Sequence, residues 1–266
     1  MSTETVQKAE VSAFSEPYER IDLPSKFIPY AEKELWVRPF NIGEVKKLQP
    51  ILRGASKLGI LDLLKGVISI DPKDLLQGDF WFILAWLRIN TFRNAPIGLD
   101  WVCPSCGNHN TLNYDPLTAE IIELDSNYKE PAKLSLPSGQ VIPVRLSRMG
   151  DEIKARDYVK TVLNKTDLEL TAEDLFIPEL AMTICDGQSF DKRIKLLESL
   201  EPEDLMIVKD FEQVYTCGLK LLTTDKCSEE VCGFVNDKIR LVFRVEDLIP
   251  EGGYRDYIRN AVRFSE

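Results

Sequence analysis

Histidine is almost missing: the chain has one, His109, among 266 residues. Hydrolytic and proton-transfer enzymes lean on histidine more than on any other side chain, and nothing else in the sequence supplies a catalytic set. There is no Gly-x-Ser-x-Gly elbow, no phosphate-binding glycine loop and no His-Glu-x-x-His helix. Also absent is an apolar run of about 18 residues, the length a membrane span needs, and the opening residues have no signal-peptide pattern. Basic charge is short. Lys and Arg number 33 against 43 Asp and Glu, giving a net charge of −10, whereas nucleic-acid binders carry a basic patch or stripe. These shortages predict a soluble cytoplasmic protein that is not an enzyme, has no small-molecule substrate and no membrane contact, and is poorly suited to nucleic acid.

What the chain does have is cysteine in a pattern. Cys103-Pro104-Ser105-Cys106-Gly107 is the shape of half a tetrahedral zinc site, with two thiolates converging and a glycine free to turn with φ > 0 after the second. Far downstream, Cys227-Ser228-Glu229-Glu230-Val231-Cys232-Gly233 repeats the device with four residues between the cysteines, still within zinc-knuckle spacing. Either pair alone could be a small buried apolar couple or a redox motif, but a redox pair follows a strand in a βαβ unit, and the residues before Cys103 do not read that way. The two pairs together predict one structural Zn2+ per chain, held by Cys103, Cys106, Cys227 and Cys232 and joining the two halves of the chain. His109 lies inside the first knuckle. It could replace a thiolate but reads better as a solvated loop residue or a donor behind the ligands. Cys185, among apolar residues, and Cys217, in a helical pattern, read as core cysteines.

Around the knuckles the chain reads as helix-rich α+β, built from two degenerate pseudo-repeats. Each has short N-terminal strands, helices, and a knuckle followed by a strand. Residues 1–18 read as a flexible polar tail, 19–130 as the first pseudo-repeat, 131–250 as the second and 251–266 as an amphipathic C-terminal helix or tail. Proline-punctuated extended runs come first, Ile21 to Pro29 and Glu34 to Phe40. A helix follows from Ile42 with Val45, Leu48, Leu52 and Ala55 on one face, then a buried apolar segment, Leu58 to Ile70. Asp71-Pro72 opens another helix as N-cap and first residue, leading into Phe80-Trp81-Phe82-Ile83-Leu84-Ala85-Trp86-Leu87, which is apolar nearly all round and fits a core or a partner equally. In the second half Leu136-Pro137-Ser138 echoes Leu23-Pro24-Ser25, and Val144-Arg145 echoes Val37-Arg38. Gly150-Asp151 echoes Gly43-Glu44, Glu201-Pro202 echoes Asp71-Pro72, and Asp210-Phe211 echoes Asp79-Phe80. Between these, Thr171 reads as the cap of a helix running toward Ile184. The strand Thr111 to Tyr114 after the first knuckle is answered by Ile239 to Val245 after the second. Twin halves, each with one knuckle, would let ligands far apart in sequence meet on one ion.

The arrangement resembles the baseplate proteins of contractile-tailed bacteriophages, most of all the T-even-type family of baseplate hub and hub-assembly proteins. The residues that carry the likeness are Leu136-Pro137-Ser138-Gly139 with Val144-Arg145, the helix end Trp86-Leu87-Arg88-Ile89-Asn90-Thr91-Phe92, and the Cys103-Pro104-Ser105-Cys106 knuckle. It spans the chain from about Leu23 to Asp247 and departs from a simple match in the longer second knuckle. The resemblance implies a late viral protein of the host cytoplasm, possessing other tail proteins as partners, that joins the baseplate hub or promotes its assembly and so can reach the virion. A zinc-ribbon adaptor for nucleic acid or transcription is the alternative. Its basic face would have to come from Lys226, Lys238 and Arg240, which stand among Asp225, Glu229, Glu230 and Asp237.

Overall fold

A computed structural model describes residues 18–53, 57–92, 97–114, 118–166, 169–220 and 222–240. The predicted C-terminal helix at 251–266, and the predicted tail apart from Tyr18, lie outside these residues. The first half opens with a hairpin, β1 (Glu19–Ile21) against β2 (Leu35–Val37), followed by α1 (Ile42–Arg53) and α2 (Lys57–Leu64). A 3-10 turn (Pro72–Asp74) leads to α3 (Gln77–Phe92) and the hairpin β3 (Ile97–Val102) and β4 (His109–Tyr114). The connection contains β5 (Ile121–Ile122). The second half has β6 (Ala132–Ser135) and β7 (Val141–Val144), then α4 (Met149–Leu163), α5 (Ala172–Met182), α6 (Phe190–Glu198) and α7 (Pro202–Val214), and ends in β8 (Gly218–Leu219), β9 (Leu222–Lys226) and β10 (Val235–Arg240). The described residues thus form a mixed fold of seven α-helices with small, separate antiparallel strand pairs.

Local chemistry accounts for most boundaries. Thr171 caps α5 by accepting from the Asp174 amide, and Asp174 accepts from the Thr171 amide in return. Pro202 sits at the first position of α7, where a missing N–H costs nothing. Asp71 does cap, through the Lys73 amide at 3.0 Å, but it opens only the 3-10 turn; the α-helix starts later, at Gln77. The all-round apolar stretch of α3 is core: Phe80, Ile83, Leu84 and Leu87 are fully buried, while Trp81, Phe82 and Trp86 pack half-buried against it.

One set of contacts occurs twice. Arg38, just after β2, forks onto Glu44 at 2.8 and 2.6 Å and reaches the Gly66 carbonyl at 2.7 Å. Arg145, just after β7, forks onto Asp151 at 2.7 and 2.9 Å and reaches the Met182 carbonyl at 2.8 Å. Each carboxylate also accepts the amide three residues before it, Asn41 or Arg148, so one bidentate pair ties strand, helix start and the end of the next helix together. The Ser25 amide donates to buried Asp79, and the Ser138 amide to buried Asp204. Asp204 therefore holds the place that the sequence echo gives to Asp210, which is exposed.

The halves interlock. Arg148 pairs with Glu130, donates to the Pro29 carbonyl at 3.0 Å and lies over the Tyr30 ring. The Met149 amide bonds to the Leu75 carbonyl. A single apolar cluster runs from Ile21 and Leu23 through α3 to Val144, Leu197 and Phe211. The closest crossing is between glycines: a Cβ on Gly78, near the start of α3, would fall 1.8 Å from the Cys217 carbonyl oxygen, and Gly218 itself has φ +121°.

Two expectations follow. Gly78→Ala should destabilise the protein by about 3 kcal/mol or more, because backbone rather than a flexible side chain must move; the urea midpoint measures this, and an unchanged midpoint would contradict the crossing. Burial alone would raise the Glu44 carboxyl, but bonds from Arg38 and the Asn41 amide hold it below its ordinary 4.5. Its contribution is therefore present above pH 4.5 and lost as pH falls through the lowered value. Urea midpoints across acid pH should show that loss in the wild type and a flatter profile in Glu44→Gln.

Candidate metal centre

Two hairpins deliver the cysteines. β3 and β4 pair without interruption from Ile97↔Tyr114 to Val102↔His109, so the first knuckle is simply the hairpin's end. It is closed by the Cys103 amide on the Asn108 carbonyl and the Gly107 amide on the Cys103 carbonyl, both at 2.9 Å. β9 and β10 pair from Val235↔Lys226 outward, with a bulge between Asn236 and Ile239. The second knuckle is closed by Cys227 to Phe234 at 2.9 Å and Cys232 to Glu229 at 3.0 Å. Gly107 and Gly233 have φ of +75° and +63°, the left-handed turn that glycine makes without strain.

The sulfurs of Cys103, Cys106, Cys227 and Cys232 all lie within 4.8 Å of one another. Across the hairpins, Cys103 to Cys232 is 3.8 Å and Cys106 to Cys227 is 3.7 Å. A tetrahedral site with metal–sulfur bonds of about 2.3 Å has sulfur–sulfur edges of about 3.8 Å. The donor set therefore fits a structural metal, with all four positions of a tetrahedron filled by protein. Cys103 and Cys227 are buried, Cys232 is half-buried and Cys106 is exposed, so the cluster faces solvent through Cys106.

Electrostatics point the same way. The Phe234 amide, against desolvation and with help from neighbouring sulfurs, lowers the Cys232 thiol to about 7. At Cys106 the Asn108 amide favours a thiolate, yet desolvation and the three other sulfurs override it and push the thiol up to about 12. The thiolate is thus favoured at Cys232 and resisted at Cys106, a resistance that a divalent cation would remove.

The surroundings hold the hairpins together. Trp101 and Asn110 are cross-strand partners, so their side chains share a face. The Trp101 indole donates to Asp225 at 2.9 Å, and Asn110 accepts from the Ser228 amide at 2.8 Å. Trp101, Cys103, Cys227 and Ile239, with Leu112, Cys232 and Phe234 against them, form a small apolar cluster distinct from the main core. His109 is exposed and is not among the clustered ligands. Cys185 and Cys217 also lie outside that group. Cys217 follows α7 rather than lying in it, and burial, with Asp79 adding, pushes its thiol up to about 12. Asn110, Asp225 and Ser228 carry no motif that marks them in the sequence. Alternation in the strands was the available signal, because Trp101 and Asn110 fall on the face that carries Cys103.

No family model, curated protein or solved structure matches this chain. No helix among the described residues is long and apolar enough to cross a membrane.

Thiols must lose protons to bind a metal, so metal affinity should weaken steadily as pH falls from about 8 to about 5. Calorimetric titration with zinc in buffers of different ionisation enthalpy would register the released protons. A pH-independent affinity would exclude thiolate ligation.

Proposed function

We propose that this chain is a non-enzymatic structural or assembly protein of a bacteriophage tail baseplate, a hub component or a hub-assembly factor. It works by binding other tail proteins, and one structural zinc ion braces it. The observation that carries this reading is the cluster of four cysteine sulfurs, all within 4.8 Å of one another. A catalytic zinc keeps an open position for water or substrate, and here four cysteines take every position. Four cysteine thiolates in one cluster are a ligand set that zinc takes in closed structural sites.

The two halves are pseudo-repeats that arose by duplication. The doubled arginine forks, Arg38 on Glu44 and Arg145 on Asp151, support this, as do the paired serine–aspartate contacts and the one knuckle per half. The resemblance to T-even-type hub proteins supplies the viral setting: assembly in the host cytoplasm and a place at the tail baseplate. The residues that carry it fall at structural joints, since Leu136 to Gly139 make the turn between β6 and β7 and Trp86 to Phe92 end α3.

Elemental analysis of protein purified without a histidine tag or chelator should give about one zinc per chain. Cys103→Ser and Cys232→Ser should lose the metal and loosen the two hairpins, leaving the main core folded, since Cys103 and Cys232 belong to the separate small cluster. Full zinc retention in either variant would overturn the shared site. Co-expression with the hub proteins of a contractile-tailed phage should yield a stable complex on size exclusion. Zinc-loaded protein that forms none would overturn the assembly role.

A further inference from the structure

The geometry points to Asn110 as the positioning residue of the second knuckle: its carboxamide fixes the chain just after Cys227 and so sets that sulfur against the first pair. The inference rests on the metal reading above and deepens it.

Asn110 is 4% exposed, deep between the hairpins. Its Oδ1 accepts from both the amide and the hydroxyl of Ser228 at 2.8 Å. Its Nδ2 donates to the Asn108 carbonyl at 3.0 Å, and that same carbonyl accepts the Cys103 amide at 2.9 Å. The Asn108 side chain adds a bond to the Ser228 hydroxyl at 3.0 Å. A continuous hydrogen-bonded path therefore joins the amide of one ligand to the residue beside another, and its step from Asn110 to Ser228 spans 118 positions of sequence. The task needs an acceptor and a donor held at a fixed angle, which a carboxamide supplies and a carboxylate does not. An aspartate would set a second acceptor against the Asn108 carbonyl.

The two knuckles differ in their need for this help. The first has two residues between its cysteines and two backbone bonds of its own. The second is longer, and a longer loop has more conformations to lose. It too has two backbone bonds, Cys227 to Phe234 and Cys232 to Glu229, one at each cysteine. Ser228, the first residue of the stretch between them, is held from outside by Asn110. The first hairpin thus serves as the mould in which the second is shaped.

The test compares the full-length wild type, Asn110→Ala and Ser228→Ala by chelator competition for zinc and by the thiolate–cobalt absorption bands, with helical circular dichroism as the control. Asn110→Ala should bind zinc about 10- to 100-fold more weakly and shift the cobalt bands while the helical signal stays unchanged. Ser228→Ala, which keeps the amide and loses only the hydroxyl, should weaken binding about three-fold. That weakening would support the inference even if Asn110→Ala failed to fold. Wild-type affinity and cobalt bands in both variants would overturn the positioning role while leaving the metal site standing. Lost helical signal in Asn110→Ala alongside wild-type affinity in Ser228→Ala would overturn it too, leaving Asn110 a general support. A wild type that binds neither ion would remove the metal reading itself.

Discussion

Bringing four sulfurs to tetrahedral spacing from hairpins 121 residues apart is the constraint that the rest of the fold must meet. Thiolates repel, knuckles are short, and neither hairpin can search far for the other. The helical body must deliver both to one place before any ion can help. It does so by letting α3 and the chain after α7 cross at bare backbone, Gly78 against Gly218. β8 follows that crossing directly and pairs with β5, and β9 begins shortly after. The closeness of the glycines thus fixes where the second hairpin starts relative to the helix that leads into the first.

The body can bear that demand because its halves are bonded alike and share one interior. Each arginine fork joins a strand, the first turn of a helix and a later carbonyl, so three elements are held by one planar group. Arg148 and Glu130 lie where the halves meet, close to Tyr30 and Tyr128. The Met149 amide adds a backbone bond to Leu75 across the same seam. The interior is common property, since side chains from β2, α3, β7 and α7 fall in one cluster.

Much of this was legible in the residues. The cysteine spacing with its closing glycines picked out the four residues whose sulfurs cluster, and Thr171 and Pro202 marked helix starts. Features that depend on distant partners were not legible. β3 reads as loose chain because Gly98 and Asp100 carry no strand preference; pairing with β4 makes it a strand. α6, by contrast, shows its helical period in Phe190, Ile194 and Leu197, and Leu197 anchors it in the core. Asp71 looks like the cap of the long helix because cap chemistry is local, and it cannot show that only a 3-10 turn follows. The echo of Asp79-Phe80 in Asp210-Phe211 is local in the same way, whereas the buried contact with a serine amide is made by Asp79 and by Asp204.

The distance in sequence between the knuckles has a mechanical side. With an ion bound, the chain from Cys106 to Cys227 becomes a closed ring, and β1 and β10 lie on the two strands that leave it. A pull applied between β1 and β10 passes through the first half to the sulfur cluster and out along β10. The helices α4 to α7 sit on the bypassed loop and carry little of the load. Their packing is then free to serve other contacts, while four metal–sulfur bonds act as the tendon.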